Sequence, residues 1–222
     1  GVLTERLGPI VEIRGPLSMV DLIRKKGMFP SRVARFCSTE LKFNVIRAYL
    51  VQREDDHVNA IGIRRAESAA RAAALEWEWN DDLDCEVWRP IVLWSRQDVI
   101  EIHRRHRLPL NPLYLMGASR VGCWPCINAS KKEIALVART DPGRIAVIRD
   151  LEGELLTKTG ILLAARGEER TKLPPRFFTL RPDGKTHIRS PIDDIVAWAV
   201  GDGDEPPTMF DDGCMRWGVC ES

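Results

Sequence analysis

An α/β fold is what this sequence predicts: a parallel sheet with helices on both faces, followed by an irregular C-terminal lobe. Three observations predict it. Short β-branched runs alternate with segments of helical periodicity along the first part of the chain, the order that builds parallel sheets. Beyond Asn111-Pro112-Leu113-Tyr114 that alternation stops, and 173–212 is rich in Pro, Gly and Asp. Five of the six cysteines lie in polar, Arg-, Gly- or Pro-punctuated stretches, with Cys123 and Cys126 far ahead of Cys214 and Cys220. The organisation expected is an α/β domain over 1–165 and a lobe over 166–222 that wraps back so that its cysteines reach the Cys123-x-x-Cys126 turn.

Each element has a local reason. Pro9 to Arg14 alternates and is β-branched, which reads as a strand ended by Gly15-Pro16. Leu17 to Lys26 has apolar residues at helical spacing, with Ser18 and Asp21 at its start and Gly27 as a stop. Arg35-Phe36-Cys37 reads as a turn, with Ser38 or Thr39 capping a helix whose buried stripe is Leu41, Val45, Ile46, Tyr49 and Leu50. Val58 to Ile63 is a second strand, and an Ala-rich helix is expected from about Glu67 to Trp77. Cys85 to Leu93 is a third strand, interrupted by Pro90; Ser95 and Asp98 then form the capping box of a helix from Arg96 to Arg105. Ser130 with Glu133 opens a helix to Arg139, Asp141-Pro142 opens another, and a short one spans about Pro191 to Val200.

Bulk composition narrows the functional classes. The chain has 222 residues, 44% apolar and 29% charged, enough for one core or one core plus a small lobe. No apolar run has the length of a membrane span, and no cationic segment precedes an apolar one at the N-terminus. A membrane partner is therefore not expected, and the cytoplasm is the default location. A formal charge of +1 creates no global field for nucleic acid, although Arg104 to Arg107 and Arg24 to Lys26 are local cationic clusters. Six cysteines without a secretory segment favour reduced thiols and a metal site over disulfides.

Two constellations carry the chemistry. Cys123 and Cys126 sit at a spacing whose tight turn points both sulfurs one way; a redox pair, a zinc knuckle and an iron–sulfur site all use it. A redox pair is expected to open a helix directly after a strand, whereas the preceding stretch here is broken by Gly and Ser. Cys214 and Cys220 can complete four ligands, with Cys37 as a fifth candidate; Cys85, between Asp84 and Glu86, reads as packing. The second constellation is Gly62-Ile-Arg-Arg-Ala-Glu-Ser68, where Arg64 and Arg65 flank a helix start suited to phosphate or sulfate. Arg35 and Lys42 add cationic capacity around Cys37. In a parallel sheet the ligand lies beyond the carboxyl ends of the strands, which is where Cys37, Arg64 and Arg65 are placed. His103 and His106 read as solvent-facing side chains.

Four motifs taken together, in this order, carry a family resemblance: Arg35-Phe-Cys-Ser-Thr-Glu-Leu-Lys42, Gly62 to Ser68, Trp88-Arg-Pro-Ile with Trp94-Ser95 and Asp98-Val99, and Gly122-Cys-Trp-Pro-Cys126. From about Leu7 to Arg149 the chain resembles the phosphoadenosine-phosphosulfate reductase superfamily. The likeness is closer to its iron–sulfur members, including phage-encoded versions and the ATPases of DNA phosphorothioation. It implies an adenine-nucleotide alpha-hydrolase-like sheet. It also implies an adenine-nucleotide pocket lined by Arg35, Lys42, Gly62, Arg64, Arg65, Glu67 and Ser68. A 4Fe-4S cluster on Cys123 and Cys126 is implied as well, completed from Cys214, Cys220 or Cys37, with zinc as the alternative metal. The Ser-Gly-Gly-x-Asp-Ser phosphate loop and Asp-Thr-Gly segment of such relatives do not occur here, so their N-terminal strand-loop-helix is expected to be missing or supplied by another chain.

The activity implied is attack by a thiol, Cys37 being the candidate, on the sulfur of adenylyl sulfate or its 3′-phosphorylated form. ATP-dependent sulfur insertion into nucleic acid is the alternative, and a non-catalytic, metal-stabilised module for a nucleotide or partner protein is the reading of a different class. An electron- or sulfur-donor protein, nucleic acid and a second copy of the chain stay open as partners.

Overall fold

The structure, a computed structural model, describes residues 11–31, 34–53, 55–118, 121–165, 175–178 and 189–201. In chain order the helices are α1 (Met19–Lys26), α2 (Phe36–Ser38), a π-helical stretch (Thr39–Phe43) and α3 (Asn44–Leu50). Three strands follow, β1 (Val58–Ala60), β2 (Trp77–Asn80) and β3 (Cys85–Trp88). Then come α4 (Arg96–Arg105), α5 (Pro112–Leu115), α6 (Lys131–Thr140), α7 (Pro142–Ala165) and α8 (Ile192–Val200). The chain divides into two compact units, Gly1–Gly15 with Thr39–Leu110 and Pro16–Ser38 with Asn111–Ser222.

The first unit is an α/β arrangement with a small mixed sheet and flanking helices. Strand order is β1-β3-β2; β1 runs parallel to β3, in register Asn59 to Val87, and β2 runs antiparallel to it, Trp77 opposite Trp88. The wholly parallel sheet expected from sequence is thus corrected. The added strand is β2, and it replaces the end of the expected Ala-rich helix. Ala69 to Ala73 are all exposed, so a helix there would bury no apolar face. The chain instead makes short 3-10 turns at Arg65–Glu67 and Ala69–Arg71. The carbonyls that follow are taken from elsewhere: Arg65 Nε donates to Ala74 O (2.9 Å), Arg89 Nη1 to Leu75 O (2.9 Å) and Arg89 N to Glu76 O (2.8 Å).

The β2–β3 hairpin closes on Asn80, whose side-chain oxygen accepts the Leu83 amide at 2.9 Å, while Asp84 takes the left-handed conformation (φ 51°) that short polar residues tolerate. Cys85 and Val87 point to the buried face, which agrees with a packing role for Cys85. The strand expected at Pro9 to Arg14 is also corrected over its described part. Val11 and Ile13 are exposed, residues 11–14 are non-strand, and the sheet has no place for them among its described strands.

Helix α4 is built as its sequence dictates: the Ser95 hydroxyl accepts the Asp98 amide (3.1 Å) and the Asp98 carboxylate accepts the Ser95 amide (2.7 Å). Around Cys37 the helix starts earlier than expected. Phe36 already opens α2, and Ser38 donates its amide to Arg35 O at 2.9 Å, so neither Ser38 nor Thr39 acts as the cap. The expected apolar stripe is half-buried at Leu41, Val45, Tyr49 and Leu50, and Ile46 is exposed.

The second unit is helical. Ser18 and Asp21 box the start of α1, and Gly27, at φ 67° with open space around its Cα, ends it in the left-handed conformation. The Ser130–Glu133 box opens α6, and Asp141 Oδ1 accepts the Arg144 amide (3.3 Å) behind Pro142, the first residue of α7. Ile134 and Val137 of α6, Ile145 and Ile148 of α7, and Ile192, Ile195 and Ala199 of α8 form one core with Phe178. Further along α7, Leu151 and Leu155 pack with Ile23 of α1 and Phe29. Each fully buried aliphatic side chain of this kind contributes about 1.5–3 kcal/mol.

Between those clusters lies a buried carboxylate, Glu152, 3% exposed. It accepts from Phe177 N (3.1 Å), Ile192 N (3.0 Å) and Arg176 Nη1 (3.2 Å). Pro191 precedes α8 and has no side-chain acceptor, so a carboxylate from α7 caps that helix. Among the described residues no helix is long and apolar enough to cross a membrane.

Candidate functional site

The cationic turn after β1 is held in place by the sheet. Ile61 N donates to Trp88 O (2.9 Å), extending the β1–β3 ladder by one residue, and Arg65 N donates to Val92 O (2.9 Å) beyond the end of β3. Arg64 lies between these two anchors, at the carboxyl end of β1, with only 16% of its side chain exposed. Gly62 has no positive φ, and a Cβ there would meet only ordinary contact, 3.7 Å from Ile91 Cδ1. Its backbone does not demand glycine.

Glu67 is the centre of this turn. Arg64 Nε lies 3.5 Å from Glu67 Oε1, and the Arg64 amide donates to Glu67 Oε2 (3.4 Å). Arg71, one helical turn further on, donates through Nη1 to the same Oε2. Two guanidiniums and a backbone amide therefore converge on one carboxylate, the donor set that also receives a phosphate or sulfate. Arg65 points its Nε to Ala74 O instead and ties the turn to the segment before β2. Ser68 is exposed with extended backbone (φ −167°), and its side chain makes no capping bond. Sequence reasoning placed Arg64, Glu67 and Ser68 here but missed Arg71; its i,i+4 spacing from Glu67 was the available signal.

Lys42 is exposed within the π-helical stretch of the first unit; Arg35 is exposed and Cys37 half-buried at the start of α2 in the second. No described hydrogen bond or ion pair joins Lys42 to the Arg64 turn.

The cysteine turn belongs to the helical unit. Cys123 is exposed and Cys126 half-buried; between them Trp124 packs against the α6–α7–α8 core, followed by a cis Trp124–Pro125 bond. The Asn128 amide donates to Cys126 Sγ (3.5 Å) and the Ala129 amide to Cys126 O (2.9 Å), leading into the Ser130 cap of α6. The turn is thus anchored by an indole below and a helix start behind. Among the described residues no three His, Cys, Asp or Glu side chains gather as a metal site. The described part of the chain accordingly does not make a four-thiolate set by itself; Cys214 and Cys220 lie outside the described residues.

Residues 21–129, which contain both turns, match the family model of the phosphoadenosine phosphosulfate reductase domain. This stretch is homologous to those reductases. A protein of Escherichia phage 186, described as an uncharacterized 37.8 kDa protein, is 41% identical over 156 residues, 67% of this chain and 47% of that protein. The adenosine 5′-phosphosulfate reductase of Allochromatium vinosum is 37% identical over 68 residues, 31% of this chain and 27% of the reductase. That of Salinibacter ruber is 27% identical over 126 residues, 56% of this chain and 49% of the reductase. The chain spans less than half the length of each of these relatives. The reductase homology supports sulfur- and nucleotide-related biochemistry and enzymatic potential. Arg35, Cys37, Lys42, the Gly62–Ser68 turn, Arg71, Cys123 and Cys126 all fall inside the homologous stretch.

Proposed function

We propose that the chain recognises the phosphate and sulfate groups of an adenylyl sulfate and takes part in its reduction by a thiol. The observation that carries this reading is the convergence of Arg64, Arg71 and the Arg64 amide on the Glu67 carboxylate. In the liganded protein an anionic oxygen takes the place of Glu67. Arg64 and Arg71 then hold it through N–H donors, Ser68 offers a hydroxyl, and Arg65 keeps the turn in position. Lys42, in the same unit, adds positive charge to that ligand. Stabilising the negative charge of the group being transferred is the main contribution of these residues.

In the reaction proposed, a thiolate, with Cys37 as the candidate, attacks the sulfur of the sulfate. A sulfur–sulfur bond forms, the bond from sulfur to the phosphate oxygen breaks, and the nucleoside phosphate leaves with that electron pair. A second thiol, from an electron-donor protein, then attacks the enzyme sulfur, releasing sulfite and leaving a disulfide. Cys123 and Cys126 are proposed as half of a ligand set for a 4Fe-4S cluster, or for zinc, completed by Cys214 and Cys220, with Cys37 as the alternative ligand should another thiol be the nucleophile. When bound, that group ties the thiols of the chain together and tunes their reactivity.

Calorimetric titration of the full chain with adenylyl sulfate, its 3′-phosphorylated form, ATP and inorganic sulfate tests the reading. Saturable binding of an adenylyl sulfate, weakened tenfold or more in both Arg64→Gln and Arg71→Gln, supports it. Equal affinity in those variants, or no heat with any nucleotide, overturns it. Iron and zinc analysis of anaerobically purified protein decides the metal, a cluster giving a brown protein with about four irons per chain.

A further inference from the structure

The outer face of the sheet is built from aromatic rings beside a carboxylate. The register sets two rows across it: Trp77, Trp88 and Ala60 in one, Trp79, Glu86 and Val58 in the other. Trp77 is 47%, Trp79 56% and Val58 47% exposed. The opposite face holds the buried Cys85 and Val87, so this side of the sheet is the one left uncovered. Trp77 stacks on Trp88 with ring centres 5.5 Å apart and planes 14° apart, which fixes the rings before any partner arrives.

The unpaired charge along this hairpin is acidic. From Ala72 to Trp88 the chain carries six carboxylates, Glu76, Glu78, Asp81, Asp82, Asp84 and Glu86, and no Lys or Arg. Glu78 is paired with Arg89, and Glu76 lies 3.5 Å from Trp88 Nε1. Asp81, Asp82, Asp84 and Glu86 are exposed and enter no ion pair among the described residues. Among the described strands β2 is also an edge strand, with one side of its backbone unpaired by any of them.

We infer that this face docks an extended, Arg- or Lys-bearing segment of a partner protein, its cation lying over Trp79 beside Glu86. A cation is attracted by an indole face, and a carboxylate directly across the strand pair supplies the counter-charge. An extended segment can add to the free edge of β2, where backbone hydrogen bonds give affinity and alternate side chains reach the rings. Charge decides against the other occupants. The four exposed carboxylates outside ion pairs, Asp81, Asp82, Asp84 and Glu86, repel nucleic-acid phosphates, and a second copy meeting this face with its own would set acid against acid.

The test is calorimetric titration of the full chain with three probes: a nonapeptide alternating Arg and Thr, its counterpart with Glu for Arg, and a twelve-residue oligothymidine. Saturable binding of the Arg peptide, weakened tenfold or more by Trp79→Ala and by Glu86→Gln, is the expected result. Both positions are exposed, and matching far-ultraviolet spectra establish that each variant is folded. Three results overturn the inference. One is equal affinity of the Arg peptide for wild type and both variants. Another is binding of the Glu peptide or oligothymidine that the same substitutions weaken. The third is self-association of the wild type that Trp79→Ala abolishes.

Discussion

Replacing Glu152 by Ala removes the acceptor of three donors at once: the amides of Phe177 and Ile192 and the Arg176 guanidinium, whose Nε is already buried without a partner. A donor stranded in the interior costs about 1–3 kcal/mol. Arg176 and Phe177 are not fully buried, so water recovers part of that loss. The net expectation is about 3–5 kcal/mol, the range for breaking a buried charged pair from one side. For a chain of this size that lowers the melting midpoint by about 6–20 °C. Glu152→Gln keeps one acceptor oxygen but turns an NH2 toward a donor, and should lose roughly half as much. Thermal unfolding followed by far-ultraviolet dichroism, together with tryptophan fluorescence, measures both. If Glu152→Ala melts within about 2 °C of wild type, Glu152 does not cap α8 in the way described.

Three further expectations concern other residues. Glu67→Gln removes the internal rival for Arg64 and Arg71, and should tighten adenylyl sulfate binding about two- to fivefold by calorimetry, the worth of one partly exposed ion pair. Trp124→Ala takes a half-buried indole out of the core beneath the cysteine turn. It should lower stability by about 1–3 kcal/mol and speed alkylation of Cys126; an unchanged alkylation rate refutes the anchoring role.

Stability should also fall on the acid side. The Ser18 hydroxyl lowers the Asp21 pKa, the Ser95 amide that of Asp98, the Arg24 guanidinium that of Glu154 and the Arg149 guanidinium that of Asp193. A carboxyl whose folded pKa is depressed stabilises the fold above its unfolded value, about 4, and loses that contribution as pH falls through the folded one. The melting midpoint should therefore be level from about pH 7 to 5 and drop below about pH 4, more shallowly in Asp98→Asn.

Signals contained within one turn of chain were readable in advance. Ser18 with Asp21, Ser95 with Asp98, Ser130 with Glu133 and Asp141-Pro142 each close hydrogen bonds with their own neighbours, so no tertiary knowledge is needed to place them. The misread elements depend on distant partners. Trp77-Glu-Trp-Asn80 is a strand because β3 lies beside it, and the alanines before it do not form a helix because nothing covers them. Val11 to Arg14 has strand character but no neighbour in the described sheet to pair with. At the site, Arg64 and Arg65 were legible as paired guanidiniums at a turn after a strand, whereas Glu67 entered only through the family resemblance. Arg71 was not legible: the segment carrying it was expected to run on as an Ala-rich helix, and it makes a short 3-10 turn instead. The destination of the Arg65 side chain, the Ala74 carbonyl nine residues away, has no signature in sequence.

The two bonds made by Arg65, amide to Val92 O and guanidinium to Ala74 O, have a thermodynamic consequence. They freeze the loop bearing Arg64 before any anion arrives, so little conformational freedom remains to be lost on association. Binding should then show a small heat-capacity change and rapid capture. Severing the Ala74 contact would slow capture and make the entropy of association more unfavourable, even with every charge that meets the ligand left intact.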